Sequence, residues 1–349
     1  MSLGPVMFNL EGRSLSQDDR DLLQHPATGG IILFERNFES VEQLTRLCAE
    51  IHALRTPHLL IAVDHEGGRV QRFKQGFSRL PPAAWFGEQY EKRAVRGLSL
   101  AEQGGWLMAA ELLSCGVDFS FAPILDLGTG TSRVIGDRAF SANPEIVAKL
   151  AHAWMQGSHA AGMAAVGKHF PGHGGVEADS HHALPVDARL FEDLQMEDLR
   201  PFERMIHYGI EAIMPAHVVY VHIDRQLAGF SSIWLKDILR KRLGFQGVIF
   251  SDDLSMAAAE EVGGYVDRAN LALSAGCDMV LVCNNRPGAI EVLDALSDYN
   301  DPAAHVRLVR MHGRRQMTRQ ELHLDPRWLQ AVEAMAEADQ HLTFDLKLE

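Results

Sequence analysis

Basic residues are in short supply in this chain: 33 lysines and arginines stand against 46 aspartates and glutamates over 349 residues, a formal charge of −13. A phosphate backbone or an anionic membrane surface needs a basic face, so neither nucleic acid nor membrane is an expected partner, although a local basic pocket for a small anion stays open. Cysteine is scarcer still. Cys48, Cys115, Cys277 and Cys283 form no C-x-x-C pair, which argues against a zinc ribbon or a dithiol redox motif. They read as buried, reduced thiols of a cytoplasmic protein. The N-terminus has no cationic stretch leading into a long apolar run, so neither a signal peptide nor a membrane span is expected. There is no internal repeat and no Pro/Ser/Gly-rich linker, and the expectation is one domain over residues 1–349.

What the chain does have is alternation. Hydrophobic residues make up 46%, ample for a core. Short apolar runs at Val6–Leu10, Gly30–Phe34, Leu59–Val63, Val117–Ala122, Ala164–Lys168, Ala212–Ala216, Gly247–Phe250 and Met279–Val282 read as strands. Amphipathic stretches between them read as helices, among them Val41–Leu54, Leu98–Cys115, Pro144–Ala161 and Val266–Ala275. Gly116, Gly209, Gly244 and Gly276 each follow a helical stretch, where a left-handed C-terminal cap is expected. Eight strands alternating with helices over about 250 residues is the arithmetic of an α/β fold, the (β/α)₈ TIM barrel, here spanning about residues 5–300. A doubly wound sheet competes, but the first strand leads into Glu11-Gly12-Arg13 rather than G-x-G-x-x-G. Beyond Asp301 the strand signals stop, and a helical extension (Val306–Glu321, Pro326–Ala338) with a polar tail is predicted.

The chemistry collects at the C-terminal ends of the predicted strands, which in a barrel converge on one mouth. Asp64-His65-Glu66-Gly67-Gly68-Arg69-Val70-Gln71-Arg72 follows strand three, Asp126 follows strand four, His217 follows strand six and Ser251-Asp252-Asp253 follows strand seven. The densest stretch is Lys168-His169-Phe170-Pro171-Gly172-His173-Gly174-Gly175, continuing to Asp179-Ser180-His181, which places Lys168 and His169 where a buried strand gives way to a glycine-rich loop. One acidic strand end is readily a helix N-cap, and either Asp252 or Asp253 fits that role. Five converging ends are not explained by capping.

Lys168-His169-Phe170-Pro171-Gly172-His173-Gly174, Asp179-Ser180-His181, Phe250-Ser251-Asp252-Asp253-Leu254-Ser255-Met256, Val63–Arg72 and Val134-Ile135-Gly136-Asp137-Arg138-Ala139-Phe140 together resemble glycoside hydrolase family 3. More narrowly they resemble its single-domain bacterial β-N-acetylglucosaminidases of cell-wall recycling. The resemblance covers roughly residues 5 to 300. It implies a retaining mechanism with Asp252 as nucleophile, His181 as acid/base and Asp179 as its partner, in place of the usual two carboxylates. His182 is an adjacent alternative to His181. A histidine titrates near neutrality, so it suits both proton donation and proton removal, and a carboxylate on the ring N–H steadies the imidazolium. The resemblance further implies Asp64, Arg72, Arg138, Lys168 and His169 as sugar-binding groups, with Asp126, Asp137 and His217 as weaker candidates. Asp137 then reads as a charge partner of Arg138. The implied substrate is a terminal β-linked N-acetylglucosamine on a peptidoglycan-derived disaccharide with an anhydro-N-acetylmuramyl unit, with or without peptide. No cofactor and no metal are implied, and nothing fixes the oligomeric state. Three rival readings stand beside this one: phosphorolysis on the same fold, a metal-dependent barrel hydrolase built on His169, His173, His181 and His182, and a non-catalytic sugar-binding barrel.

Overall fold

The computed structural model describes residues 2–176, 184–260, 262–314 and 317–345. The apolar runs become eight parallel strands: β1 Val6–Asn9, β2 Thr28–Leu33, β3 Leu60–Val63, β4 Phe119–Ser120, β5 Val166–Phe170, β6 Ala212–Pro215, β7 Val248–Asp253 and β8 Met279–Val282. Their order is β4-β3-β2-β1-β8-β7-β6-β5, and a parallel bridge between Ile124 and Lys168 brings the two ends together. This is the (β/α)₈ barrel expected from the alternation, with its helices outside and a helical region at the C-terminal end.

Two departures matter for the site. β5 does not end before His169; it continues through Phe170, pairing Lys168 with Met214 and Phe170 with Pro215. Lys168 and His169 are therefore buried strand residues rather than the start of a loop. β7 likewise runs on through Asp253, pairing that residue with Leu281.

Inside the barrel, Phe119, Phe121 and Phe250 form a triangle with centroids 5.3–5.4 Å apart, two of the three pairs edge-on. Each such pair adds about 0.5–1.5 kcal/mol beyond area burial. The rings fill the interior directly beneath the mouth.

Outside, the helices are punctuated as the sequence suggests. Gly116, Gly209, Gly244 and Gly276 all adopt positive φ at the predicted stops. Two helices cross closely, Ala94–Ser114 (α1) and Pro144–Ala161 (α2): a Cβ at Gly157 would lie 1.9 Å from the Glu102 carbonyl oxygen. The extension differs from expectation. Val306–Glu321 is not one helix but Pro302–Leu308 (α3), a short 3₁₀ turn, and Arg319–Leu324 (α4). The break falls where Gly313 is drawn onto the barrel: its N–H donates to Asp118 at 2.9 Å, and a Cβ there would meet Leu113 at 2.4 Å. The last helix, α5, is Pro326–Asp345.

Candidate active site

β7 ends in two aspartates that both border the mouth, beyond Phe250 and across a register shift, and their partners tell them apart. Asp253 is tied into the turn that follows. Its carboxylate accepts from Ser255 N at 2.9 Å, Ser255 Oγ at 2.7 Å and Cys283 N at 3.0 Å. Burial nonetheless pushes the Asp253 carboxyl up. Asp253 thus serves as the turn cap, while Asp252 accepts from Asp253 N at 2.8 Å, and both border the cavity.

Opposite stands a buried ion network. Lys168 Nζ lies 2.8 Å from Asp64 Oδ1 and 2.7 Å from Glu66 Oε1. Arg138 grips Glu66 with two parallel bonds of 2.8 Å, the bidentate fork that arginine forms best. Arg72 stands 3.6 Å from the other oxygen of Asp64. Burial alone would raise both carboxyls, but Lys168 and Arg72 hold Asp64 below its ordinary range, and Arg138 and Lys168 hold Glu66 far below it. The same pairing raises Lys168 and Arg138 against the opposing effect of burial. Asp64, Glu66, Lys168 and Arg138 are therefore charged at neutral pH.

Glu66 is the member not singled out from the sequence. The signal was present: Asp64-His65-Glu66 places two carboxylates two residues apart, on one face if the chain stays extended. It does, because His65–Gly67 pairs antiparallel with Val70–Gln71 across Gly67-Gly68, both at positive φ, a tight turn open to glycine.

Asp126 turns out to be a hub. It accepts from His169 N at 3.2 Å and from His173 N at 2.6 Å, and its Oδ2 is 2.7 Å from His169 Nδ1. Burial opposes its ionisation, but His169 and His173 keep its carboxyl low. An acceptor on Nδ1 places the His169 proton there and leaves Nε2 to the cavity. His217 lies behind the site, its Nε2 3.0 Å from the Asp253 carbonyl. Asp137 is not the partner of Arg138; it pairs with Arg69 at 3.3 Å, because Arg138 is turned inward to Glu66.

Asp179 and His181, with His182, lie outside the described residues. The segments on either side of them are described. A Cβ at Gly172 would lie 2.6 Å from Asp198, and one at Gly174 would lie 2.1 Å from the Leu127 carbonyl oxygen, so these glycines permit close backbone approach. Tyr220 Oη donates to the Gly172 carbonyl at 2.7 Å. On the far side, Arg189 bridges Asp187 and Asp198 at 2.7 and 2.6 Å.

The residues face one cavity of about 780 Å³, lined by Asp64, Glu66, Arg72, Arg138, Lys168, His169 and Asp252. Arg69, Arg133 and His173 border it as well. Of the eight residues assigned by sequence to catalysis and binding, the six that lie among the described residues all border this cavity. The set offers one carboxylate on a strand end and, around it, fixed donors and acceptors for hydroxyl and amide groups. Among the described residues no three His, Cys, Asp or Glu side chains gather in a way that would hold a metal ion.

The sequence profile of the glycosyl hydrolase family 3 N-terminal domain matches residues 5–310. A β-hexosaminidase of Thioalkalivibrio sulfidiphilus is 65% identical over 331 residues, covering 95% of each chain. One of Nitrosospira multiformis is 54% identical over 338 residues, covering 96% of this chain and 97% of that one. The crystal structure of NagZ from Neisseria gonorrhoeae in complex with N-trifluoroacetyl-D-glucosamine superposes with a TM-score of 0.92 at 46% identity, covering 97% and 98% of the two chains. The chain is a glycoside hydrolase, and it belongs to glycosyl hydrolase family 3.

Proposed function

We propose that the protein is a retaining exo-β-N-acetylglucosaminidase that releases terminal N-acetylglucosamine from peptidoglycan-derived disaccharides carrying an anhydro-N-acetylmuramyl unit. The observation that carries this reading is the placement of Asp252 near the end of β7, in one cavity with the Asp64–Lys168–Glu66–Arg138 network and His169. The acylated amino sugar bound by the gonococcal relative, and the β-hexosaminidases at 54–65% identity, support an N-acetylated hexosamine as the sugar.

In this mechanism Asp252 attacks the anomeric carbon while His181 protonates the departing oxygen. A glycosyl-Asp252 ester forms, and the aglycone leaves with the proton. His181, now neutral, takes a proton from water, which attacks the ester and regenerates Asp252 with net retention. Asp179 steadies the imidazolium. Asp64, with Lys168, His169 and Arg138, holds the sugar hydroxyls and the acetamide, so the anomeric carbon is presented to one carboxylate oxygen. The barrel and its helical extension act together as one catalytic domain. The four buried free thiols support a reducing, cytoplasmic setting, and among the described residues no helix is long and apolar enough to cross a membrane.

The test is hydrolysis of an aryl β-N-acetylglucosaminide beside a natural disaccharide, with identification of the sugar product. Asp252→Ala should lose about 10⁴-fold or more in kcat. His181→Ala should lose far more on the disaccharide than on the activated aryl glycoside, and azide should restore part of its deglycosylation. Substantial turnover by Asp252→Ala would remove the nucleophile from this residue. Release of a sugar 1-phosphate in phosphate buffer would replace hydrolysis with phosphorolysis.

A further inference from the structure

At the opposite end of the barrel from Asp252 lies a second cavity of about 720 Å³, within the size range of small-molecule sites. Its walls are the segments that lead into β5, β6 and β7, namely residues 162–164, 209–211 and 244–247, closed on one side by the C-terminal extension. The extension brings an anomaly for so acidic a chain: Arg307, Arg310 and Arg314 fall within eight residues, and all three line this cavity.

The placement is built rather than incidental. Buried Asp278 fixes Arg307, with Oδ1 3.0 Å from Nε and also bonded to Nη2; through Oδ2, 2.8 Å away, it fixes Arg240. Arg240 in turn donates to the Gly247 carbonyl at 2.6 Å, pinning the cavity wall. Arg314 N donates to the Gly162 carbonyl at 3.0 Å, and Gly162, at positive φ, leaves the room this requires: a Cβ would lie 2.4 Å from the Arg314 carbonyl oxygen. The cavity's own carboxylate, Glu211, is already engaged by Ala165 N and His159 Nε2, both at 3.0 Å. Three arginines and one carboxylate thus line the cavity, with Arg307 and Glu211 already engaged, and the exposed Arg310 and Arg314 bring positive charge to a space also lined by apolar Met163, Ile210 and Phe245. Paired arginines beside an apolar lining suit a multivalent oxyanion with an organic body.

We propose that this basal cavity is a binding site, separate from the catalytic one, for a metabolite-sized organic oxyanion, phosphorylated or carboxylated, held by Arg310 and Arg314.

Sodium pyrophosphate and sodium citrate are the probes, titrated by calorimetry into the full chain and compared with sodium chloride at equal ionic strength. The expected result is saturable binding of at least one of them. The double variant Arg310→Ser/Arg314→Ser should weaken that binding about tenfold or more while leaving hydrolysis of an aryl glycoside unchanged. Gln246→Glu, on the facing wall, should weaken it too without removing either arginine, so the outcome does not depend on one variant's folding. A response to pyrophosphate alone assigns the phosphorylated class, and one to citrate alone the carboxylated class. Wild-type binding no stronger than the chloride control, or full binding retained by both variants, would overturn the proposal.

Discussion

Glu66 lines the mouth although the sequence assigned it neither a sugar contact nor a part in the chemistry. It carries the bidentate fork of Arg138 and one contact of Lys168, so two cations that would face a sugar are held by one carboxylate. Its neutral isostere leaves both cations buried and under-compensated, a loss of about 3–5 kcal/mol for breaking a buried pair. Glu66→Gln should therefore lower the melting temperature and raise KM for an aryl β-N-acetylglucosaminide by about tenfold or more, with a smaller change in kcat. Unchanged KM would mean that Arg138 and Lys168 keep their places without it. At this scale the sequence was legible where a residue's type was rare for its surroundings: lysine and histidine on an apolar strand, an acidic pair at a strand end. Partnership was not legible. Asp137 adjoins Arg138 in the chain but bonds Arg69, and Asp126, a weak candidate by type, anchors both His169 and His173, because inward or outward direction depends on strand register that no single segment specifies.

Between β5 and the element that follows the undescribed segment, the structure depends on a cluster of ionisable groups. Arg189 must serve Asp187 and Asp198 together, and one guanidinium does not neutralise two buried carboxylates. Burial, reinforced by Asp126 and Asp187, overcomes the Arg189 contact and raises the Asp198 carboxyl from 3.8 to about 6. One of its oxygens, Oδ1, has no hydrogen-bond partner among the described residues. A raised folded-state value means that the native protein binds the proton more tightly than the unfolded chain. The stabilisation is complete below the unfolded value and is lost as pH rises through about 6. Asp198→Asn cannot titrate, so relative to this variant the wild type should lose stability as pH rises from 4 to 7, measured by urea unfolding at each pH. A constant difference across that range would show that Asp198 is ionised throughout. The elements themselves were largely legible: all eight strands, the helix Pro144–Ala161 to the residue, and four glycine stops. The errors sit where tertiary contact overrides local pattern, as when Gly313 is pulled onto Leu113 and Asp118 and divides a stretch whose periodicity reads as one helix.

Over the whole molecule, one buried residue ties both α4 and α5 of the extension to the barrel. Glu111, inside α1, accepts from Ser78 N at 2.8 Å and Ser78 Oγ at 2.7 Å on the barrel side, and from Trp328 Nε1 at 2.9 Å on α5, with Arg319 of α4 at 3.7 Å. Glu111→Ala should cost about 3 kcal/mol or more, because it strands the Arg319 charge and an indole N–H together, and limited proteolysis should then cut first near residues 312–318. Loss of stability without earlier cleavage there would place the effect in α1 alone. The aromatic triangle of Phe119, Phe121 and Phe250 has a consequence of another kind. It closes the inner end of the cavity beneath the mouth. Under the proposed chemistry the sugar lies innermost, against the rings, and the leaving group lies toward the opening. Traffic then has a fixed order: the aglycone departs first, water enters through the space it vacates, and the freed sugar is last in the queue, so accumulated sugar blocks the next substrate at the threshold rather than from behind.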